Sequence, residues 1–338
     1  MLLKKKKVAL GQFFTKKNLW LKRQIRDFIK SSNMSIAYDP FAGAGDLLTV
    51  ASNLGFRITR GLDIDENLSW DVNDSLKEIP HCNDSIIITN PPYIAKQSAS
   101  RKNIDLSEYF NGSVYDDIYL IALDKMLEAQ NYIVAIIPES FINSNYKQKN
   151  LVHSITILEE NPFEDTENPV CVVCFDGKKK SFDEIKVFSG DKYLNTLAYF
   201  ENLRLEPKNI VKISFNDKKG WLAMRATDSS NGIDLIHFSL KKDMDYDWEK
   251  NIRVSSRHIS LLNIDIEESE RNNFISIANN IINDLRKESL DVIFTPFKGN
   301  TKFGKRRRRL DFRMARAILE KAYIQIKGMD LNEQLRFF

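Results

Sequence analysis

The chain has 338 residues, of which 43% are hydrophobic and 28% are charged, and its net charge at pH 7 is +4. This hydrophobic content excludes a disordered chain, and the length suits one large or two ordinary domains. Three cysteines without a regular spacing argue against a disulfide-stapled secreted protein. No apolar segment follows the lysines near the N-terminus, and no stretch approaches the ~20 apolar residues of a membrane span. We therefore expect a soluble cytoplasmic protein with no membrane association.

The N-terminal region combines a basic segment, two adjacent aromatic residues and a first helix. Lys4–Lys7 is interpreted as a solvated tail, because runs of charge usually contact water. The segment Gly11-Gln12-Phe13-Phe14-Thr15 follows it. Asn18 has a side chain suited to an N-cap, and a helix is predicted after it from the apolar face formed by Leu21, Ile25, Phe28 and Ile29.

A strand, a glycine turn and a helix come next along the chain. Ile36–Asp39 is predicted as a strand, Pro40–Gly45 as the turn, and Asp46–Leu54 as the helix. The turn contains Gly43-Ala44-Gly45. Glycines at these positions let the backbone approach a ligand closely, beside the N–H groups of a helix N-terminus.

The glycine turn favours a nucleoside ligand that carries no phosphates. It lacks the Lys-Ser/Thr of a phosphate-binding loop, and Leu48 occupies the position of the third glycine in a dinucleotide fingerprint. The next predicted strand, Arg57–Asp63, ends in an acid 18 residues after Gly45, near the ~20-residue offset at which acidic residues bind ribose hydroxyls. S-adenosylmethionine fits these features, because Asp63 would accept from its ribose and Asp39 would pair with its ammonium group.

The segment Thr89-Asn90-Pro91-Pro92-Tyr93-Ile94 follows an apolar run, Ile86–Ile88, that is predicted as a buried strand. Neither proline has an N–H for the sheet, so the strand must end here, at the edge where open α/β sheets bind ligands. The Asn90 amide, the Pro91 carbonyl and the Tyr93 ring could together hold a planar group that carries an NH2. The alternative interpretation is a strand-ending turn, because Asn-Pro commonly opens turns.

The remaining segments of the first half alternate between strands and helices. Ala95–Gly112 is polar without a clear period and is predicted as a long loop. Three strands are predicted at residues 132–137, 151–158 and 170–175, and a helix face is formed by Val114, Ile118, Ile121, Ala122 and Leu127. The alternation indicates a mainly parallel sheet with helices on both faces. Cys171 and Cys174 have metal-ligand spacing but lie in an apolar strand, so both are assigned to the core.

These motifs resemble the DNA adenine-N6 methyltransferases in which the cofactor motif precedes the Asn-Pro-Pro-Tyr motif, a type found in type II restriction-modification systems. The resemblance covers residues 11 to about 177. The Gln12–Thr15 segment upstream of Asp39-Pro40-Phe41-Ala42-Gly43 is its more specific part, because Asn90–Tyr93 is also similar to enzymes that methylate protein glutamine or RNA. Its other parts are Asp63-Ile64-Asp65, Asn73-Asp74-Ser75, Ile137-Pro138-Glu139-Ser140, and Phe163 before the last predicted strand.

The resemblance implies a Rossmann-like class I methyltransferase fold, α/β with a mixed, mostly parallel seven-stranded sheet. It also implies that the cofactor is S-adenosyl-L-methionine. The residues that would bind this cofactor are Phe14, Thr15, Asp39, Phe41, Gly43, Gly45, Asp63, Ile64, Asp74 and Asn90. Within this set, Asp63 would take the ribose hydroxyls and Asp74 the adenine amine of the cofactor. Asp74 could instead be an ordinary Asx-turn residue.

The catalytic residues implied by the resemblance are Asn90, Pro91, Pro92, Tyr93 and Phe163. The Asn90 side chain and the Pro91 carbonyl would accept from N6 of an adenine flipped out of double-stranded DNA, which turns the lone pair of that nitrogen toward the sulfonium methyl. Tyr93 and Phe163 would stack on the two faces of the base, although Phe163 could simply cover an edge of the core. Transfer would be direct, with proximity and orientation supplying most of the acceleration.

The alternation of strands and helices ends near residue 178, where we place a domain boundary. Residues 1–177 are predicted as the cofactor-binding catalytic domain and residues 178–338 as an α+β target-recognition domain. Nine Lys/Arg and one acid, Asp311, occur from Lys298 to Arg316, a segment named here the basic tract. Apolar residues within the tract indicate an ordered segment rather than a tail, and its cations are expected to contact DNA phosphates.

The favoured function is that of the modification enzyme of a restriction-modification system, with a cognate restriction endonuclease acting on the same site. One alternative is a methyltransferase on RNA or protein glutamine, which would not need a large basic second domain. Another is a DNA-binding relative that has lost catalysis, against which the intact motifs argue. No metal site is expected, because the four histidines have no ligand spacing.

Overall fold

The computed structural model describes residues 18–163, 167–251 and 258–328. Phe14 and Thr15 lie outside these residues, together with the rest of the Gly11–Thr15 segment and the lysines before it. The chain forms two compact units, residues 1–199 and residues 200–338. This division lies beyond the boundary predicted at residue 178, because two further strands pair with the sheet of the first unit.

The first unit is built on one large sheet. Its helices are α1 (Arg23–Ser31), α2 (Asp46–Asn53), α3 (Lys96–Arg101), α4 (Ser107–Phe110), α5 (Ile118–Ala129) and α6 (Leu197–Leu203), the last of which continues past residue 199. Two 3₁₀ helices, Glu139–Asn143 and Lys149–Leu151, precede the sixth strand. The strands are β1 (Ile36–Asp39), β2 (Ile58–Asp63), β3 (Asp71–Val72), β4 (Ser85–Thr89), β5 (Tyr132–Pro138), β6 (Val152–Ile157), β7 (Val170–Asp176), β8 (Lys186–Ser189) and β9 (Lys192–Thr196).

The strand order in this sheet is 3-2-1-4-5-7-6-8-9. The pairs from β3 through β2, β1 and β4 to β5 are parallel, and β7 runs antiparallel between β5 and β6. The Rossmann-like class I methyltransferase fold, with its mixed and mostly parallel sheet, is thereby confirmed. The predicted number of seven strands is wrong, because β8 and β9 extend the sheet beyond β6.

Apolar strands form the centre of this sheet. Every residue of β4 is buried, and β5 and β7 are buried along nearly their whole length, as expected for strands covered on both faces. Cys171 and Cys174 are buried in β7, which confirms their assignment to the core. Residues three apart on a strand point to opposite faces, so the two thiols do not face a common ion.

Two local predictions in the first unit are wrong. Asn18 is not an N-cap: it lies in a turn with a φ of 76°, and α1 begins at Arg23. The segment Ala95–Gly112, predicted as a long loop, contains α3 and α4. Helices of six and four residues have fewer than two turns, so they show no apolar period in the sequence. Val114 precedes α5 and is exposed.

The second unit is α+β, as predicted. Its strands β10 (Ile213–Phe215), β13 (Ile259–Ile264), β11 (Leu222–Arg225) and β12 (His237–Leu240) form an antiparallel sheet in that spatial order. A separate antiparallel pair consists of β14 (Thr295–Asn300) and β15 (Arg306–Arg309). The helices are α7 (Trp248–Asn251), α8 (Arg271–Ser289) and α9 (Phe312–Lys327), with 3₁₀ helices at Lys241–Asp243 and Glu268–Glu270.

The basic tract is an ordered part of the second unit, which confirms the prediction that it is not a tail. It runs from the end of β14 through β15 into α9. Leu310 and Met314 are buried, and the Asp311 side chain caps α9 by accepting from the Met314 N–H at 2.9 Å. Within the described ranges, no helix has both the length and the apolar character needed to cross a membrane.

Candidate active site

Three polar residues predicted for the site lie at one edge of the first sheet. Asp39 ends β1, Asp63 ends β2, and Asn90 follows β4. Since β1 pairs in parallel with β2 on one side and with β4 on the other, all three residues lie at carboxyl ends of neighbouring strands. From β1 the chain adds β2 and β3 on one side of the sheet and then β4 and β5 on the other side. Open α/β sheets bind ligands at such a switch point, here between β1 and β4.

Asp39 is a buried carboxyl group that links two strand ends. Its side chain is 1% exposed. Its Oδ1 accepts from the Thr89 hydroxyl at 2.5 Å and from the Phe41 N–H at 3.0 Å. The pKa of Asp39 is raised to about 7, chiefly by burial and to a smaller extent by the nearby Asp63, while the hydrogen bonds from Thr89 and Phe41 act in the opposite direction. The group can therefore gain or lose a proton near neutral pH.

Asp63 holds the glycine turn against the end of β2. Its Oδ2 accepts from the Gly43 N–H at 2.8 Å, and its Oδ1 accepts from the Asp65 N–H at 2.9 Å. The side chain is buried. Each carboxylate oxygen can accept more than one hydrogen bond, so Asp63 can bind a hydroxyl pair while it keeps the turn in place.

The glycine turn is braced by Trp70, which the sequence analysis did not single out. The Trp70 indole N–H donates to the Gly43 carbonyl at 2.9 Å. A Cβ at Gly45 would lie 2.8 Å from Trp70 Cζ2, and one at Gly61 would lie 2.4 Å from Trp70 Cε3. The indole thus occupies the space that a side chain at Gly45 or Gly61 would need. Trp70 lies in no recognisable motif, so only its place in the fold identifies this role.

The two turn glycines provide a matched pair of substitutions. Gly43 and Gly45 both have positive φ, 52° and 82°, but a Cβ at Gly43 would meet no described atom within 4 Å. We expect Gly43→Ala to lower stability by about 1 kcal/mol, the cost of the left-handed conformation. Gly45→Ala should cost about 1–3 kcal/mol more, because its methyl group also displaces Trp70. Urea unfolding of both variants measures the difference, and equal midpoints would contradict the proposed bracing by Trp70.

Asp74 forms the Asx turn that the sequence analysis gave as its alternative role. Its Oδ1 accepts from the Leu76 N–H at 3.2 Å, which is an Asx turn. Its Oδ2 accepts from the Tyr109 hydroxyl at 2.9 Å and lies 3.2 Å from Lys77 Nζ. The structural interpretation of Asp74 therefore holds, and it does not exclude a binding role for the same carboxylate.

One cavity brings the separate motifs together. Its volume is about 60 Å³. Four of the predicted cofactor-binding residues line it, and so does Pro92 from the Asn-Pro-Pro-Tyr segment. The full lining is Pro40, Phe41, Asp63, Ile64, Asn73, Asp74, Ser75, Leu76 and Pro92. The strand-ending segment is therefore adjacent to the residues predicted to hold a nucleoside.

The side chains of Asn90, Tyr93 and Phe163 form a connected group. The Tyr93 hydroxyl is hydrogen-bonded to Asn90 Oδ1 and lies 2.8 Å from the Ile136 carbonyl oxygen in β5. The Tyr93 and Phe163 ring centroids are 6.1 Å apart at an interplanar angle of 60°. Phe163 is buried in the core cluster of the sheet, and Tyr93 packs against that cluster. Burial raises the pKa of the Tyr93 phenol well above its ordinary value, which keeps the phenol neutral.

The edge-on contact of these rings bears on the predicted base-stacking role. A base stacked between two aromatic rings needs a roughly parallel ring on each of its faces. At 60° the two rings contact each other instead. A base could enter between Tyr93 and Phe163 only if at least one of them rotates. Phe163 also covers the core, as the alternative interpretation held.

The comparisons with known proteins give one family match, over part of the chain. Residues 13–165, somewhat less than half of the chain, match the family model described as the Eco57I restriction-modification methylase. This range contains the glycine turn, the Asn90–Tyr93 segment and Phe163. A search of the curated proteins finds no match.

Several solved structures are similar to this chain at low identity. The methyltransferase subunit of a type I restriction-modification system from Streptococcus thermophilus is 17% identical, with a TM-score of 0.38 over 57% of this chain and 52% of that chain. The M protein of the type I restriction enzyme EcoKI is 12% identical, with a TM-score of 0.36 over 79% and 69%. A putative class I S-adenosylmethionine-dependent methyltransferase from Listeria monocytogenes is also 12% identical, with a TM-score of 0.36 over 50% and 64%. This chain thus covers less than two thirds of the first and third proteins. These similarities do not assign an activity to this chain.

Proposed function

We propose that this protein is a site-specific DNA methyltransferase that transfers a methyl group from S-adenosyl-L-methionine to N6 of an adenine held outside the duplex. One observation carries the proposal. Pro92 of the Asn-Pro-Pro-Tyr segment lines the same cavity as Asp63 and Asp74. An amine-binding segment and a nucleoside-binding group are therefore within reach of each other, as a direct transfer requires.

The residues at the sheet edge fit S-adenosylmethionine in chemistry. Gly43 has open space at its Cβ position and a positive φ, so its backbone can lie against a ligand. Asp63 would accept from the ribose hydroxyls, and Asp39 would pair with the ammonium group. Phe41, Ile64 and Asp74 line the adjoining cavity and would contact the adenosine. The bound cofactor supplies an electrophilic methyl group on its sulfonium.

The protein's own residues would hold and orient the target amine. The Asn90 side-chain oxygen and the Pro91 carbonyl accept its two hydrogens, so the lone pair of the nitrogen turns out of the plane of the base. Tyr93 offers the base a ring face after it rotates away from Phe163. Because the base must leave the stack to reach such a site, the enzyme is expected to flip it. Asn90 Oδ1 then exchanges its bond with Tyr93 for one with the substrate.

Duplex DNA is favoured as the substrate by the second unit. The basic tract gives this unit a local excess of positive charge, and the tract is folded rather than a loose tail. Phosphate neutralisation by such cations supports binding to nucleic acid. The match to a restriction-modification methylase family favours DNA over RNA or protein. A cognate restriction endonuclease that recognises the same site is expected as the partner.

The direct test uses S-adenosylmethionine labelled in its methyl group, incubated with the protein and a mixture of DNA, RNA and protein. We expect the label in DNA, and digestion to nucleosides should release it as N6-methyladenine. Label in RNA, in protein glutamine or in a methylated cytosine would contradict the proposal. A chain that binds no cofactor would be a silent relative. Mapping methylated adenines in a bacterial host that expresses the protein would then identify the recognition sequence.

The raised pKa of Asp39 leads us to expect that cofactor binding depends on pH. Its pKa is raised by burial to about 7, so the free protein holds it protonated below that pH. An ammonium group pairs with the ionised carboxylate, so binding must release the proton there. We expect affinity for S-adenosylmethionine to be highest between pH 7 and about 8, where the α-amino group of the cofactor is still largely protonated, and to fall by up to about tenfold per pH unit below pH 7. Isothermal titration calorimetry over this range measures both the affinity and the proton release.

The matched control for this prediction is Asp39→Asn. The amide can still accept from Thr89 and Phe41 but cannot ionise. This variant should bind more weakly at neutral pH and lose the dependence on pH. If the wild-type affinity were flat between pH 6 and pH 8, the pairing of Asp39 with the ammonium group would be wrong.

A further inference from the structure

The β14–β15 hairpin is the most basic feature of the second unit. Residues 298–309 contain seven Lys/Arg and no acid. The hairpin turns over residues 301–305, where the Thr301 N–H donates to the Lys305 carbonyl at 2.8 Å and Gly304 has a φ of 77°. The hairpin is therefore a short, defined ribbon with an acid-free tip.

Five of the seven cations of this hairpin form two groups, of which the first is structural. Arg308 is 6% exposed, and its backbone N–H donates to Asp228 Oδ2 at 3.0 Å. Arg307 Nε donates to the Asp228 carbonyl at 2.8 Å, and its guanidinium lies 4.7 Å from the Phe297 ring centroid. These two arginines attach the hairpin to the loop that contains Asp228, so we do not assign them to contacts with a binding partner.

The second group surrounds an exposed aromatic side chain at the tip. Lys298, Lys302 and Lys305 are exposed, and Phe303 between the last two is 66% exposed. Lys302 Nζ lies 5.0 Å from the Phe303 ring centroid. A large exposed aromatic beside lysines is therefore the outermost feature of the ribbon.

The tip is held in place by the loop before β12. The Lys302 N–H donates to the Ser230 carbonyl at 2.9 Å. A Cβ at Gly232 would lie 2.9 Å from Phe303 Cδ2, so one edge of the ring rests on the Gly232 backbone. The neighbouring Ile233 is exposed as well. Phe303 is thus presented in a fixed position, at little entropic cost on binding.

We propose that this hairpin enters a groove of duplex DNA, with Phe303 packing against base planes as a wedge while Lys302 and Lys305 contact the flanking phosphates. The proposal deepens the function proposed above and rests on it. A two-stranded ribbon is narrow enough for a DNA groove, and apolar wedges such as Phe insert between base steps where a protein deforms the duplex. The exposed lysines on either side of Phe303 favour a polyanion over an apolar protein surface.

The test measures binding of a short fluorescein-labelled duplex of mixed sequence by anisotropy over a series of salt concentrations. Phe303→Ala should weaken binding about tenfold at each salt concentration, with an unchanged salt dependence. The double variant Lys302→Ala/Lys305→Ala should reduce the slope of log affinity against log salt by about 1.8, from two lost phosphate contacts. The matched control is Lys218→Ala/Lys219→Ala, which removes two adjacent exposed lysines from the turn between β10 and β11.

The outcomes separate the wedge from the function it rests on. All the replaced side chains are exposed, so circular dichroism should show folded variants. Wild-type protein that binds and methylates DNA while Phe303→Ala binds equally well would overturn the wedge alone. A slope that changes no more in Lys302→Ala/Lys305→Ala than in the control would overturn the phosphate contacts. Equal or tighter binding of the same sequence as an RNA duplex would overturn the choice of DNA, and wild-type protein that methylates no DNA would overturn the proposed function.

Discussion

The Asn90→Ala protein is expected to lose methyl transfer by at least about a hundredfold, the effect of removing one well-placed hydrogen-bonding group from an active site. The substitution removes the side-chain acceptor that orients the target amine. It leaves Asp39, Asp63 and the glycine turn, which are positioned by other contacts. Affinity for S-adenosylmethionine should therefore stay close to that of the wild type. Label transfer to DNA and calorimetric titration with the cofactor measure the two effects separately.

The contrasting variant is Asp63→Ala. It removes the acceptor assigned to the ribose and also the partner of the Gly43 and Asp65 N–H groups. Its main loss should be in cofactor affinity, so that raising the cofactor concentration recovers part of the activity. Near-normal turnover by Asn90→Ala would mean that the site is assigned to the wrong residues. Equal losses of cofactor affinity in both variants would contradict the division of roles.

The Asp228→Ala protein is expected to lose about 2–6 kcal/mol of stability in its second unit, because each of two backbone donors that loses its acceptor costs about 1–3 kcal/mol. Asp228 is 2% exposed. Its carboxylate accepts from the two Arg286 terminal nitrogens at 2.8 and 3.0 Å. It also accepts from the backbone N–H groups of Ile236 and Arg308, each at 3.0 Å. Removing it leaves two backbone donors without their acceptor and takes from the Arg286 guanidinium one of its two carboxylate partners, the other being Asp291 at 2.7 Å.

Urea unfolding followed by circular dichroism and intrinsic fluorescence measures this loss. The control is Asp234→Ala, which removes an exposed acid from the same loop that is bonded to Asn231 at 3.1 Å. Surface substitutions of that kind usually change stability by less than about 0.5 kcal/mol. If the two variants unfolded at the same urea concentration, Asp228 would not be the anchor of the hairpin. Loss of this anchor should also weaken DNA binding, because Phe303 would no longer be held in place.

Much of the site could be predicted from local sequence. The Asp39 strand end, the glycine turn and the proline-terminated strand before Asn90 each depend on residues adjacent in the chain. Parallel pairing then places all their carboxyl ends at one edge, a consequence of the alternation of strands and helices. The predicted helix start at Asn18 failed for a related reason, because a capping side chain suits a tight turn equally well.

The contacts that complete the site could not be predicted in this way. Trp70 braces Gly45 and Gly61, and no motif marks it. The edge-on contact of Tyr93 with Phe163 joins residues 70 positions apart in the chain. Similarly, β8 and β9 join the sheet by pairing at its edge, and the change in sequence pattern near residue 178 gave no sign of this pairing.

The sequence by itself determined the fold class, the strand ends that carry the polar residues and the existence of a basic tract. These follow from patterns that repeat every two or four residues and from the backbone limits of glycine and proline. Only the tertiary structure decided which cations of the tract face outward. Arg308 is buried, and its backbone N–H donates to Asp228, 80 residues earlier in the chain, whereas the side chains of Lys302 and Lys305 are exposed and flank the exposed Phe303. The physical reason is that side-chain burial depends on contacts between distant segments, which the order of residues alone does not specify.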